Sequence, residues 1–145
     1  MNSLSYRLTI IRNGEKASRP YIEISCTKHF QYKKNIFILN QLRQEGVIRG
    51  YSYISLQSKI NKNINDKIIN FKIIIFLKYD ETGKSVLRII QQVSTPGRRK
   101  YVSTHSLWQP QTSSGFYILS TSYGIITDLE ARYYNVGGEV LISVV

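Results

Sequence analysis

Two stretches of this chain carry groups suited to gripping a polyanion. Pro96-Gly97-Arg98-Arg99-Lys100-Tyr101 sets three cations and an aromatic ring directly after a turn-forming dipeptide. Cations attract phosphates, and a tyrosine can stack on a base or sugar. Ser120-Thr121-Ser122-Tyr123-Gly124 offers three hydroxyls and a run of backbone N–H groups, with Gly124 permitting close approach. Small donors of this kind suit the 2′-hydroxyls and base edges of an RNA minor groove. Taken alone, the first stretch also reads as a solvated basic turn with a core tyrosine. The second also reads as an ordinary Ser/Thr turn.

Groups suited to breaking bonds are sparse. The two histidines, His29 and His105, are far apart and lack metal-ligand spacing, and the three Asp and six Glu form no recognisable acidic pair. Neither a phosphate-cradling glycine loop nor a nucleophile elbow is present. Cys26 falls in a predicted strand and reads as a buried structural thiol, and the histidines read as surface or loop residues. One cysteine forms no internal disulfide, which makes a reducing compartment the simplest reading. No catalytic residue, cofactor, metal or small-molecule substrate is expected. The rival from another class, a small RNA-processing hydrolase, would need His29 or His105. A generic basic RNA-binding module or a protein-interaction module would need neither.

Composition favours the binding reading. The 20 Lys+Arg exceed the 9 Asp+Glu, giving a formal charge of +11 on only 145 residues. Such an excess draws polyanions through counterion release, nucleic acid first among them. A membrane surface would call for a basic amphipathic helix, whereas these cations are spread among strands and turns. The longest apolar run, residues 73–77, falls far short of the roughly 20 residues of a membrane span. Residues 1–7 lack an apolar core of a secretory signal, and Glu15 interrupts any acid-free presequence, so no targeting segment is expected. Ile, Lys, Asn, Tyr and Phe together far outnumber the two Ala, which points to an AT-biased genome.

Periodicity supplies the elements that must hold these groups. Leu4, Leu8 and Ile11 predict a short helix, capped by Ser3 or Ser5 and ended by Asn13-Gly14. Residues 21–26 predict a strand entered through Pro20. Ile38, Leu39 and Leu42 mark a second helix stopped at Glu45-Gly46. Strands follow over 47–54 and 71–79, with a polar, Asn-rich loop over 56–70 between them. Asp80-Glu81-Thr82-Gly83 turns into a strand over 86–93, ended by Pro96-Gly97. Residues 116–119 form another strand. Thr127-Asp128-Leu129-Glu130 is a capping box opening a helix to about Tyr134, and residues 139–145 close the chain as a strand. The expected class is α+β, with two small mixed subdomains packed together. These are an N-terminal α-β-α-β-β unit over 1–82 and a C-terminal, RNA-binding β-β-α-β unit over 83–145.

Read together, the segments resemble the small-subunit ribosomal protein S-eight family of bacteria and organelles. The resemblance rests on residues 120–132, followed by Asn135-Val136-Gly137-Gly138-Glu139-Val140, and on residues 93–102 around the Pro-Gly-Arg turn. Residues 8–14 and 42–48 extend it in collinear order over almost the whole chain. It implies a non-catalytic protein that binds the central domain of small-subunit ribosomal RNA and supports subunit assembly, beside neighbouring small-subunit proteins. It further implies RNA contact through Ser120, Thr121, Ser122 and Gly124, with Tyr101 against a base or ribose. Glu139 would help position the Ser/Thr loop, and Arg12 and Asn13 would touch the backbone; Arg98, Arg99 and Lys100 add phosphate contacts. The chain departs from the family at Tyr123, where Lys is usual, and at Gln91-Gln92, where a basic residue is frequent. These departures, the 56–70 loop and the AT bias favour an organellar ribosome, mitochondrial and organelle-encoded. A plastid or a bacterial cytoplasm is the alternative. Ser122→Ala with Gly124→Val is expected to remove specific binding while preserving the fold.

Overall fold

The protein is described here by a computed structural model, over residues 4–26, 29–57, 69–108 and 115–145. Helix α1 (Leu4–Lys16), strand β1 (Tyr21–Cys26), helix α2 (His29–Gln44), strand β2 (Ile48–Gln57) and strand β3 (Ile69–Leu77) form the first half. The strands make an antiparallel sheet in the order β1-β3-β2. Period-two alternation buries Ile22 and Ile24 on β1 and Ile73, Ile75 and Leu77 on β3, all sealed among Leu8, Ile11, Ile38, Leu39 and Leu42 of the helices. Arg7 and Asn35 tie the two helices through a buried hydrogen bond from the guanidinium to the amide oxygen.

Helix α1 does not stop at Asn13-Gly14 but runs on to Lys16. Gly14 is buried, and a Cβ there would collide with Ile22 Cγ2 and touch Leu77 Cδ1 at 3.4 Å. Its glycine serves close helix–sheet approach, a role that local turn propensity does not reveal. Gly46, by contrast, ends α2 as expected, at φ +71 with the Val47 N–H bonded to Leu42 O at 3.0 Å. Leu56, Gln57, Ile69 and Asn70, assigned to a loop by their weak periodicity, are paired strand residues. The rest of that predicted loop, and the cap at Ser3, lie outside the described residues.

At the predicted turn, Asp80 Oδ1 accepts from the N–H groups of Thr82 and Lys84 at 2.9 and 2.8 Å. Of the strand expected over 86–93, only β4 (Ile90–Gln92) pairs in a ladder. Residues 86–89 cross between sheets: Val86 N–H bonds back to Lys78 O, while Arg88 and Ile89 N–H both reach Val145 O. The crossing buries Leu87 and leaves Val86 and Ile89 exposed.

The second half continues with β5 (Tyr101–Val102), α3 (Thr104–Leu107), β6 (Phe116–Thr121), β7 (Gly124–Thr127), α4 (Asp128–Tyr133) and β8 (Gly138–Val144). Its antiparallel sheet runs β4-β8-β6-β7, and β5 joins β8 as well. The α+β class with two packed parts is therefore present. The β5, α3 and β7 elements go beyond the β-β-α-β order expected from local propensity, because two- to four-residue elements leave no periodic signal. The capping box forms as expected: Thr127 Oγ1 accepts from Glu130 N–H, and Glu130 Oε2 accepts from Thr127 N–H at 3.1 Å. Asn135, at φ +55, turns the chain out of α4.

One irregularity distributes β8 between two cores. Ile118 pairs with Ile142, and Leu119 pairs with Val140, so Leu141 is the extra residue of a bulge. Ile118, Leu141, Ile142 and Val144 join the main core with α1, α2 and the first sheet. Leu119 and Val140 face the opposite way, into a smaller core with Leu107, Ile126 and Ala131.

Candidate nucleic-acid interface

The basic stretch is an excursion from one edge of β8. Strand β4 pairs with β8 from Ile90↔Val144 to Gln92↔Ile142, and β5 resumes at Tyr101↔Glu139. Between them the chain loops out around Pro96-Gly97, closed by Thr95 N–H to Arg98 O at 3.0 Å and Arg98 N–H to Thr95 O at 3.1 Å. Arg98, Arg99, Lys100 and Tyr101 are all exposed, which sets aside the reading of Tyr101 as a core residue.

Glu139 fastens this turn from inside. Its Oε1 accepts from the buried Ser94 hydroxyl and from Arg99 Nη1 at 2.8 Å. Ser94 Oγ also accepts from Lys100 N–H at 3.3 Å, which closes the network around the turn. The bond to Glu139 and its charge raise the Arg99 pKa above its ordinary value. Ser94 carried no signal in the sequence, because a lone serine before a turn is unremarkable until its burial is known.

Register joins the two binding stretches. Glu139 is opposite Tyr101 on one side and opposite Ser120 on the other. Cross-strand partners project to the same face, so Tyr101, Glu139 and Ser120 form a row across the sheet. From Ser120 the chain runs to a hairpin tip, where Thr121 pairs with Gly124 around Ser122 and Tyr123. Thr121 Oγ1 donates to Gly124 O at 3.0 Å and accepts from Tyr123 N–H at 3.2 Å, so this hydroxyl shapes the tip itself. Ser122 and Tyr123 are exposed. Gly124 has φ +109, a conformation in which valine is strained, so Gly124→Val does not qualify as a fold-preserving test.

Helix-start donors of α4 do not converge on this tip. Strand β7 intervenes, Thr127 is buried, and the Thr127 and Glu130 N–H groups are spent in the capping box. Two tyrosines stand there instead. Tyr123 stacks on Tyr134, and Tyr133 meets Tyr134 edge-on. The dipeptide Tyr133-Tyr134 was the available sequence signal, but only the fold sets it beside the tip.

Arg12 approaches the basic turn from α1. Its Nη2 donates to Ile90 O at 2.6 Å, and it lines a groove with Gln91, Gln92, Ser94, Thr95 and Arg99. Asn13 instead lines a separate groove with Arg19 and Tyr21. The structure thus brings together Arg12, Arg98, Arg99, Lys100, Tyr101, Glu139 and Ser120 through Gly124, and leaves Asn13 outside. His105 is exposed in α3; His29 opens α2 and Cys26 ends β1, their side chains lying outside the described residues. Among the described residues no cluster of three His, Cys, Asp or Glu could hold a metal, and no helix is long and apolar enough to cross a membrane.

The comparisons with known proteins agree with one another. The family described as "Ribosomal protein S8" matches residues 2–145. "Small ribosomal subunit protein uS8" of Rhizobium etli (strain CIAT 652) is 44% identical over 138 residues, 94% of this chain and 92% of the relative. The proteins of that name from Rhizobium meliloti (strain 1021) and Acholeplasma laidlawii (strain PG-8A) are 41% and 37% identical, with the same coverage of both chains. A family match over nearly the whole length, with relatives of this identity and coverage, bears out the resemblance read from the sequence: the chain belongs to the ribosomal protein S8 family.

Proposed function

We propose that this protein is a structural constituent of the small ribosomal subunit that binds the central domain of small-subunit ribosomal RNA and supports its assembly. The observation that carries the reading is the row Tyr101–Glu139–Ser120, which sets the basic turn and the hydroxyl-bearing tip on one face of one sheet. Arg98, Arg99, Lys100 and Arg12 supply salt-sensitive affinity, while the tip and Tyr101 supply shape selectivity. No reaction is assigned, and neighbouring small-subunit proteins are the remaining partners. The division into an N-terminal unit over 1–82 and an RNA-binding unit over 83–145 belongs to the same proposal. The turn at Asp80 separates the two sheets and supports it, even though the main core is shared between them.

The relatives named above are bacterial, which supports a bacterial ribosome as the setting. A mitochondrial setting rests on the departures at Tyr123 and Gln91-Gln92, the 56–70 loop and the AT-biased composition, and gains no specific support from those relatives. The test is affinity for a central-domain ribosomal RNA fragment against a scrambled hairpin, across a range of salt. A preference of ~10³ or more, the margin typical of specific protein–DNA recognition, is expected. Equal affinities that salt abolishes together would reduce the protein to a generic polyanion binder.

A further inference from the structure

The tip of the β6–β7 hairpin holds an aromatic surface that neither core requires. Tyr123 is 67% exposed, and its ring lies over that of Tyr134, 5.3 Å between centroids and 14° between planes. Tyr133 meets Tyr134 edge-on at 5.3 Å and 78°, and is itself 84% exposed. Three contiguous rings therefore face solvent at one end of the molecule, although burying them would be the favourable course for a lone domain. Their mutual stacking holds them in place before any ligand arrives, which lowers the ordering cost of binding. The Thr121 hydroxyl, bonded to both Gly124 and Tyr123, fixes the backbone beneath them.

The surroundings favour a nucleobase as the occupant. Ser122, exposed beside Tyr123, offers a hydroxyl to a base edge or ribose, and the chain carries a formal charge of +11. The acids of the adjoining helix are engaged internally: Asp128 with Arg132 at 3.0 Å and with Tyr117 N–H, and Glu130 in the capping box. Aromatic faces accept any base, and such stacking adds affinity without adding charge.

We propose that Tyr123, Tyr134 and Tyr133 form a stacking platform for an unpaired base of the RNA held at the Ser120–Gly124 tip; this rests on the RNA-binding reading above. Because a ring neutralises no phosphate, its contribution is independent of salt.

The experiment measures affinity for the central-domain fragment across salt for the full chain and four variants. Tyr123→Ser and Tyr133→Ser are each expected to weaken binding about tenfold with an unchanged salt slope. Tyr123→Phe, which keeps the ring, is expected to bind as the parent does. Thermal melting confirms the fold, and Tyr133→Ser carries the test if Tyr123→Ser proves unstable. Ser122→Glu, which opposes RNA at the tip without a ring change, separates the two readings. Parental affinity in both serine variants, with loss in Ser122→Glu, would overturn the platform and leave the RNA reading standing. Failure of the parent chain to prefer the cognate fragment would overturn the RNA reading itself. Normal RNA affinity with lost incorporation into reconstituted subunits would overturn the nucleobase in favour of a protein occupant.

Discussion

Arg99 is bound to Glu139, Nη1 to Oε1 at 2.8 Å, and is thereby distinguished from the cations on either side of it. No such ion pair is formed by Arg98 or Lys100 among the described residues, and both are exposed beside the same turn. A guanidinium already held by a carboxylate gives up part of that bond to grip a phosphate, whereas its neighbours give up only water. Arg98→Gln and Lys100→Gln are each expected to reduce the slope of log affinity against log salt by about 0.7 to 0.9. Arg99→Gln is expected to reduce it less and to loosen the turn. Equal slope changes at all three positions would show that Glu139 releases Arg99 on binding.

Ser94 is sealed from solvent, and its hydroxyl is shared between Glu139 and the Lys100 N–H. Ser94→Ala leaves that N–H without its partner and removes one of the two donors to Glu139 Oε1. The expected cost is about 1 to 2 kcal/mol in unfolding free energy, read from urea denaturation. RNA affinity is expected to fall as well, because the turn bearing Arg98 to Tyr101 loses its anchor. Unchanged stability would mean that water replaces the hydroxyl.

Glu15 gives stability an acid-side optimum. Burial pushes its pKa up from 4.5 to about 7, against smaller opposing contributions from the nearby Ser85 hydroxyl and the Arg12 charge. The folded state holds this proton more tightly than the unfolded chain does. The stabilisation is therefore complete below pH 4.5 and is lost as pH rises through about 7. From this group alone, unfolding free energy is expected to fall by about 2 kcal/mol between pH 5 and pH 8, after allowance for screening at a partly wetted site. Glu15→Gln, uncharged throughout, should flatten that part of the profile. A profile that keeps its slope in Glu15→Gln would place the titrating group elsewhere.

Gly14→Ala pits a local gain against a tertiary loss. Alanine favours a helix interior over glycine by about 1 kcal/mol. Here its Cβ would strike Ile22 Cγ2, a branch fixed close to the strand backbone, with Leu77 Cδ1 also in contact. Overpacking of this kind costs about 1 to 3 kcal/mol, so a lower melting temperature is expected. A higher one would mean that α1 shifts off the sheet without penalty.

Much of this protein was legible from local pattern. Leu8 and Ile11, Ile38 to Leu42, the alternation along β3 and the Thr127–Glu130 capping box each state their element within a few residues, because helix and strand periodicities are short-range. The charge and the ordered segments that define the family are equally properties of the linear chain. Other features had no local cause. Gly14 read as a helix stop because its constraint is Ile22, on a different element. Residues 86–89 read as strand because their apolar content is that of a strand, yet their partners are Lys78 O and Val145 O at the two ends of a crossing. The binding face depended on register most of all. Tyr101, Ser120 and Glu139 lie far apart in sequence and become neighbours only through pairing with β8. The bulge at Leu141 then decides which core each flanking residue enters. The chain by itself supplied the charges, hydroxyls and rings; cross-strand pairing, which minimises exposed backbone and apolar surface over the whole molecule, decided which of them meet.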